Sequence, residues 1–166
     1  APSRGRVVPQ GEPGQPLTVS GVVVGPDGAP VAGVSLYVYQ TDHEGYYGVK
    51  PVSDNRNPRL KLYLRSDASG AWAFDTIKPG PVPDPDGKPQ APHIVLAIYA
   101  RGMLLHLYSR IYFDGEAANA ADPVLALVPA DRRATLIAAR QPGTGSAVYR
   151  FDIHLQGDNE TVFFDV

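Results

Sequence analysis

Short runs of alternating apolar and polar residues, separated by glycine and proline, dominate this chain, and that punctuation narrows its fold more than any other feature. Seventeen glycines and seventeen prolines fall mostly between the runs. Proline cannot donate to a β-ladder and glycine reaches turn conformations closed to other residues, so each cluster ends one strand and starts the next. Many short strands joined by turns predict an all-β protein, specifically a two-sheet β-sandwich with one or two short helices.

The runs can be followed along the chain. LTVSGVVV (17–24) leads through PDGAP to GVSLYVYQ (33–40), where Val34, Leu36 and Val38 share one face and Ser35, Tyr37 and Tyr39 the other. In LKLYLR (60–65) the three leucines share a face, and DASG (67–70) then reverses the chain into AWAFDTI (71–77), an expected hairpin. The proline-stiffened segment 78–92 delivers the chain to His93 and a strand around Ile94–Tyr99; MLLHLYSRIYF (103–113) follows, giving a second expected hairpin across Arg101-Gly102. VYRFDIHL (148–155), with Tyr149, Phe151, Ile153 and Leu155 inward, and ETVFFDV (160–166) are the last expected strands. Helix signals are confined to 115–140: EAANAA is short, while PADRRATLIAAR has an acidic first turn and a basic end that suit the helix dipole. Residues 1–16 lack periodicity and predict an extended arm, mobile or laid against a neighbouring subunit, ahead of a single domain over 17–166.

Composition removes several functions. The 166 residues suffice for one domain with a real core and argue against two. A net charge of -2 with dispersed basic residues offers no field for nucleic acid. No apolar run approaches the roughly 20 residues of a membrane helix, so no membrane span is expected. The absence of cysteine rules out disulfides, thiolate metal sites and cysteine nucleophiles. The opening residues have no signal-like apolar core, which makes cytoplasmic residence the expectation; a signal removed before Ala1 leaves no trace in the sequence. No zincin, nucleophile-elbow, phosphate-loop or dinucleotide motif is present.

Chemistry must then come from histidine and tyrosine. His154 shares a strand face with Arg150 and Asp152 and reads as a charge-paired surface histidine; His106, inside an apolar run, reads as a hydrogen-bonded core or interface residue. His43 lies in the loop TDHEGYYG with Tyr46 and Tyr47, and tyrosinate is a hard ligand suited to ferric iron. His93 stands at the mouth of a strand. Residues two apart in a strand share a face, so a second ligand belongs at position 95, which is valine.

The series GVVVGPDGAPVAGVSLYVYQTDHEGYY, RSDASGAWAFDTIKPGPVP and APHIV resembles the intradiol ring-cleavage dioxygenases, which open catechols with a non-haem ferric iron. The likeness spans roughly 18–166, and IKPGPVPDPDGKPQAPHIVLAIYARG and YRFDIHLQGDNETVFFDV resemble the alpha-type subunits of the protocatechuate-cleaving members in particular. It implies a β-sandwich with the iron site near the sheets' edge and an iron held by two tyrosines and two histidines. Tyr47 and His93 match one ligand of each kind, whereas the other two positions fall on Val82 and Val95. The resemblance therefore implies a vestigial site with no metal bound to this chain, Fe(III) on a beta-type partner subunit, and an oligomer. It also implies that Arg101, in the ARG turn, walls the partner's pocket for an aromatic diol such as protocatechuate.

Three functions follow as expectations. The first is an alpha-type subunit that completes the pocket of an iron-bearing beta partner and carries no catalytic residue itself. The second is a stand-alone pseudoenzyme that binds an aromatic small molecule in the emptied pocket, which two valines make drier. The third is a re-formed metal site gathering His43, Tyr46, Tyr47 and His93.

Overall fold

A computed structural model describes residues 3–99, 106–143 and 145–164. Its strands are β1 (Ser3–Arg6), β2 (Pro16–Val24), β3 (Ser35–Gln40), β4 (Leu60–Arg65), β5 (Ala71–Ile77), β6 (Val82–Pro83), β7 (Pro89–Gln90), β8 (His93–Tyr99), β9 (Leu107–Phe113), β10 (Ile137–Arg140), β11 (Ala147–Arg150) and β12 (Ile153–His154). One sheet runs β1-β5-β2-β11-β10 and the other β10-β9-β8-β3-β4, so β10 hydrogen-bonds into both and joins them along one edge. β6 and β7 form a separate two-stranded ribbon.

Alternation decides what the two sheets enclose. In β2 and β3 every second residue is buried, and Val19, Val23, Leu36 and Val38 enter the same core as Trp72, Phe74, Ile94, Leu96, Ile98 and Ile111. The expected two-sheet sandwich is thus observed, with the inward faces assigned to 34–38 and 60–64 carrying Val34, Leu36, Val38, Leu60 and Leu64 into that core. At the far edge, β1 approaches β4 so closely that a Cβ on Gly5 would lie 2.8 Å from a methyl of Leu62. The start of the chain pairs within its own fold: β1 runs parallel to β5, Arg4 meets Asp75 at 2.6 Å, and Val7 and Val8 are buried.

Three local expectations are corrected. The turn at 67–70 is tight, with Asp67 accepting from Ser69 N and Ala71 N at 2.8 and 2.9 Å, but β4 pairs with β3 and β5 with β2, so the chain changes sheets there and forms no hairpin. The segment 129–140 divides into a 3-10 helix, Ala130–Leu136, and strand β10. Two open ladders, to β9 and β11, and the fully buried Ala138 outweigh its helix-like charge pattern. The other helical pieces, Ala117–Ala121 and Leu125–Leu127, are also 3-10. Residues 160–164 make a single bridge, Phe164 to Tyr108, in place of a regular strand.

The pairing of β8 with β9 is the expected second hairpin, though its turn lies outside the described residues. A two-residue turn at Arg101-Gly102 would set Tyr108 opposite Val95; the register sets Arg110 there. That displacement matters for the site.

Candidate functional site

The outward face of the β4-β3-β8-β9 sheet is a lattice fixed by register. Lys61, Tyr39, Val95 and Arg110 form one row across four strands, and Tyr63, Tyr37, Ala97 and Tyr108 the next. His93 lies two residues before Val95, opposite Tyr112. Tyr47 reaches the same face from the loop after β3, its ring 5.9 Å from that of Tyr39.

Local hydrogen bonds explain how that loop is held. Asp42 caps it, accepting from Glu44 N at 2.9 Å and Tyr46 N at 3.0 Å. Gly80 N donates to Asp42 O at 2.8 Å and Thr41 Oγ1 to Gly80 O at 2.9 Å, so the loop is sewn to the segment that continues into β6. No side chain fits between them: a Cβ on Gly45, which has φ +93°, would meet Pro81 O at 2.2 Å, and one on Gly80 would meet Gly45 N at 2.5 Å. This contact brings Tyr47 and Val82 to one end of the sheet. Opposite Val82 in the ribbon stands Gln90, which leads into His93.

His93 is buried and its Nδ1 lies 2.8 Å from Ala91 O. A carbonyl only accepts, so Nδ1 carries the proton and donates, leaving Nε2 as a bare acceptor. Nε2 is sealed from solvent and has no hydrogen-bond partner among the described residues. Burial drives the imidazole's pKa down to about 4, and the positive Arg110 pushes the same way. The ring is neutral at physiological pH. Tyr47 is a neutral phenol as well: burial pushes it up to about 12, with Tyr39 adding and Arg110 opposing.

A buried network organises this end of the sheet. Asp122 accepts from Ala91 N at 2.7 Å, Tyr112 OH at 2.9 Å, Val124 N at 3.0 Å and Leu125 N at 2.9 Å. Arg110 Nη1 donates to Tyr112 OH at 3.1 Å and to Gln90 Oε1 at 2.7 Å. One carboxylate thus fixes the backbone that aims His93 and the tyrosine that braces Arg110.

Of the positions named from the sequence, His93 and Val95 lie in β8, Val82 in β6 opposite Gln90, and Tyr47 in the loop after β3 with its ring beside Tyr39. The sequence reading did not name every residue placed here. It missed Arg110, Gln90, Tyr112 and Asp122. The alternation Tyr108, Arg110, Tyr112 within LYSRIYF was the available signal, hidden by reading that stretch as simply apolar. His106 is hydrogen-bonded, to Tyr108 OH, and of the two places expected for it the core is excluded: it is exposed, beside the Tyr99 ring. His154 is half-buried near the Arg150–Asp152 pair of 2.7 Å. His43 is exposed and Tyr46 faces the Lys50 ammonium at 5.6 Å. Among the described residues, no group of three or more His, Asp or Glu could hold a metal. Arg101 lies outside the described residues.

Comparison with known proteins fits this geometry. The family described as Dioxygenase matches residues 4–157. The chain is 42% identical over 155 residues to the protocatechuate 3,4-dioxygenase alpha chain of Pseudomonas putida, covering 92% of this chain and 77% of that one. The chain belongs to the intradiol ring-cleavage dioxygenases. To the protocatechuate 3,4-dioxygenase beta chain of Burkholderia cepacia, another member, identity is 32% over 168 residues, covering 93% and 70%. The dioxygenase domain of a dioxygenase carbohydrate-binding protein fusion from Streptomyces sp. SirexAA-E superposes with a TM-score of 0.71 at 28% identity, over 92% of this chain and 86% of that domain. Intradiol dioxygenases use non-haem iron, and this chain is a subunit type of that family. No helix among the described residues is long and apolar enough to cross a membrane.

Proposed function

We propose that this chain is an alpha-type subunit that completes the substrate pocket of an iron-bearing beta-type partner and holds no iron itself. One observation carries the reading: of the four positions matched to the family's ligands, Val82 and Val95 supply no lone pair. Two donors remain, the Tyr47 phenol and the His93 imidazole, with the Arg110 cation close enough to affect both. One phenol and one imidazole, half of the matched set, do not fit a trivalent ion, which without further oxygen donors is lost to hydrolysis and competing chelators. Identity of 42% to an alpha chain against 32% to a beta chain supports the same assignment.

In the assembly an iron held by the partner would supply the redox chemistry for opening an aromatic diol such as protocatechuate. This chain supplies walls and orientation. Arg101 presents a guanidinium to the substrate carboxylate. The protein works in the cytoplasm as a hetero-oligomer, with no nucleic acid or membrane partner.

The test is iron content and the visible spectrum of the chain alone after iron loading, then co-expressed with a beta-type chain. The expected result is a colourless, iron-free chain alone and, with the partner, one iron per pair, a tyrosinate-to-iron band and ring-cleaving activity. A stoichiometric iron with that band on the lone chain overturns the reading. The stand-alone binding protein is the second reading, favoured by the apolar Val95 floor beside Arg110; failure to pair with any beta-type chain would select it.

A further inference from the structure

The row Lys61-Tyr39-Val95-Arg110 has a cation at each end and no acidic residue within it. Arg110 forms no ion pair among the described residues, and it is held by one nitrogen only. Nη1 spends its two protons on Gln90 and Tyr112, while Nε and Nη2 make no hydrogen bond among the described residues. Those two nitrogens form the edge of a guanidinium that receives a carboxylate through two parallel bonds. A brace on the opposite edge and an open fork constitute a preorganised anion receptor.

The surroundings select the rest of the ligand. Val95 is half-buried and lies directly between Tyr39 and Arg110, so it forms a partly open, apolar floor. The Tyr39 and Tyr47 rings, 5.9 Å apart at 59°, stand on one side as walls suited to a flat ring. Both are neutral phenols, raised by burial, and do not repel an anion.

We infer that this chain carries a ligand site of its own, in which the Arg110 fork binds the carboxylate of a small aromatic acid whose ring rests on Val95 against Tyr39 and Tyr47. The inference rests on the reading that no iron occupies this end of the sheet, and it assigns the position a binding role separate from ring cleavage on the partner. The site recognises an aromatic carboxylate without chemistry.

The experiment is calorimetric titration of benzoate into the chelator-treated full chain, with benzamide as the uncharged control, and of benzoate into Arg110→Gln and Arg110→Lys. Saturable binding of one benzoate is expected, with benzamide at least tenfold weaker, Arg110→Gln at least tenfold weaker, and Arg110→Lys between it and the native chain. Near-ultraviolet circular dichroism establishes that the variants fold; if Arg110→Gln does not, Arg110→Lys and benzamide carry the comparison. Absence of benzoate binding overturns the inference, as does equal affinity for benzamide or unchanged affinity in a folded Arg110 variant. A response only to acidic peptides also overturns it and assigns the fork to a protein partner. Iron content is measured on a separate, untreated sample, so iron found there counts against the alpha-type reading while the benzoate result still judges this one.

Discussion

His93 keeps one hydrogen bond, a bare lone pair and no charge, and that combination has a pH signature. Its ordinary value of 6.5 falls to about 4 in the folded chain, so below pH 6.5 the unfolded state takes up a proton that the folded state refuses. Stability is therefore lost as pH falls from 6.5 towards 4 and the loss levels off below, with a full difference on the order of 3 kcal/mol. Replacing His93 with Asn keeps a donor for Ala91 O and removes the titration. Urea unfolding at pH 7, 6, 5 and 4 should show a shallower fall for the variant, and parallel curves would refute the assignment. Asp122 makes the complementary case. Four donors converge on one buried carboxylate, and Asp122→Ala strands several of them at once. A loss of about 3 kcal/mol or more is expected in the same assay, since each stranded buried donor costs roughly 1–3 kcal/mol. An effect below 1 kcal/mol would show that water replaces the carboxylate. Asp122 was passed over because its local partners, Val124 N and Leu125 N, read as ordinary turn capping, while Ala91 N and Tyr112 OH, the partners that tie it to the site, reach it only through the fold.

The elements carry the site through glycine contacts. The loop holding Tyr47 and the segment leading to Val82 touch backbone to backbone at Gly45 and Gly80, and a methyl on either would lie within 2.6 Å of main-chain atoms. Gly45 also needs positive φ, so Gly45→Ala combines clash with backbone strain and is expected to cost about 3 kcal/mol, whereas Gly87→Ala, at φ +81° in open space, costs about 1 kcal/mol. Thermal melts of the two variants compare them directly; equal shifts would mean that the loop moves aside without penalty. Alternation made the inward faces of β2, β3 and β4 readable, because a half-buried strand imposes its period on the sequence. Register and partner choice were hidden. The Asp67 turn looks like a hairpin turn locally, and it is the pairing of β4 with β3 and of β5 with β2 that shows the chain changing sheets there, while the buried Ser66, whose hydroxyl links Val31 O and Val34 N at 2.9 Å each, anchors the end of β4. In the same way, a two-residue turn at Arg101-Gly102 would set Arg110 opposite His93, whereas the observed register sets it opposite Val95.

At the scale of the whole molecule, the sheet that packs β4, β3, β8 and β9 against the core turns an unusually aromatic face outward. Tyr63 is 71% exposed and stacks on Tyr37 at 4.4 Å, and Tyr99 at 43% exposure sits beside His106. Tyrosine is enriched where proteins meet. In the chain, Arg101 falls between β8 and β9 of this same sheet. If that arginine lines the partner's pocket, its contribution must depend on the substrate's charge. In the assembled enzyme, Arg101→Ala is expected to raise KM for protocatechuate at least tenfold, the loss of about 1.4 kcal/mol that a charge-assisted hydrogen bond readily supplies. Catechol has no carboxylate for the guanidinium to hold, so its kcat/KM should change less than twofold. Steady-state oxygen uptake with both substrates measures the two effects side by side. An equal loss on both would place Arg101 in assembly or folding, and no loss on either would leave it a solvated turn residue. Only a loss confined to the carboxylated substrate places this chain's arginine against the substrate in its partner's pocket.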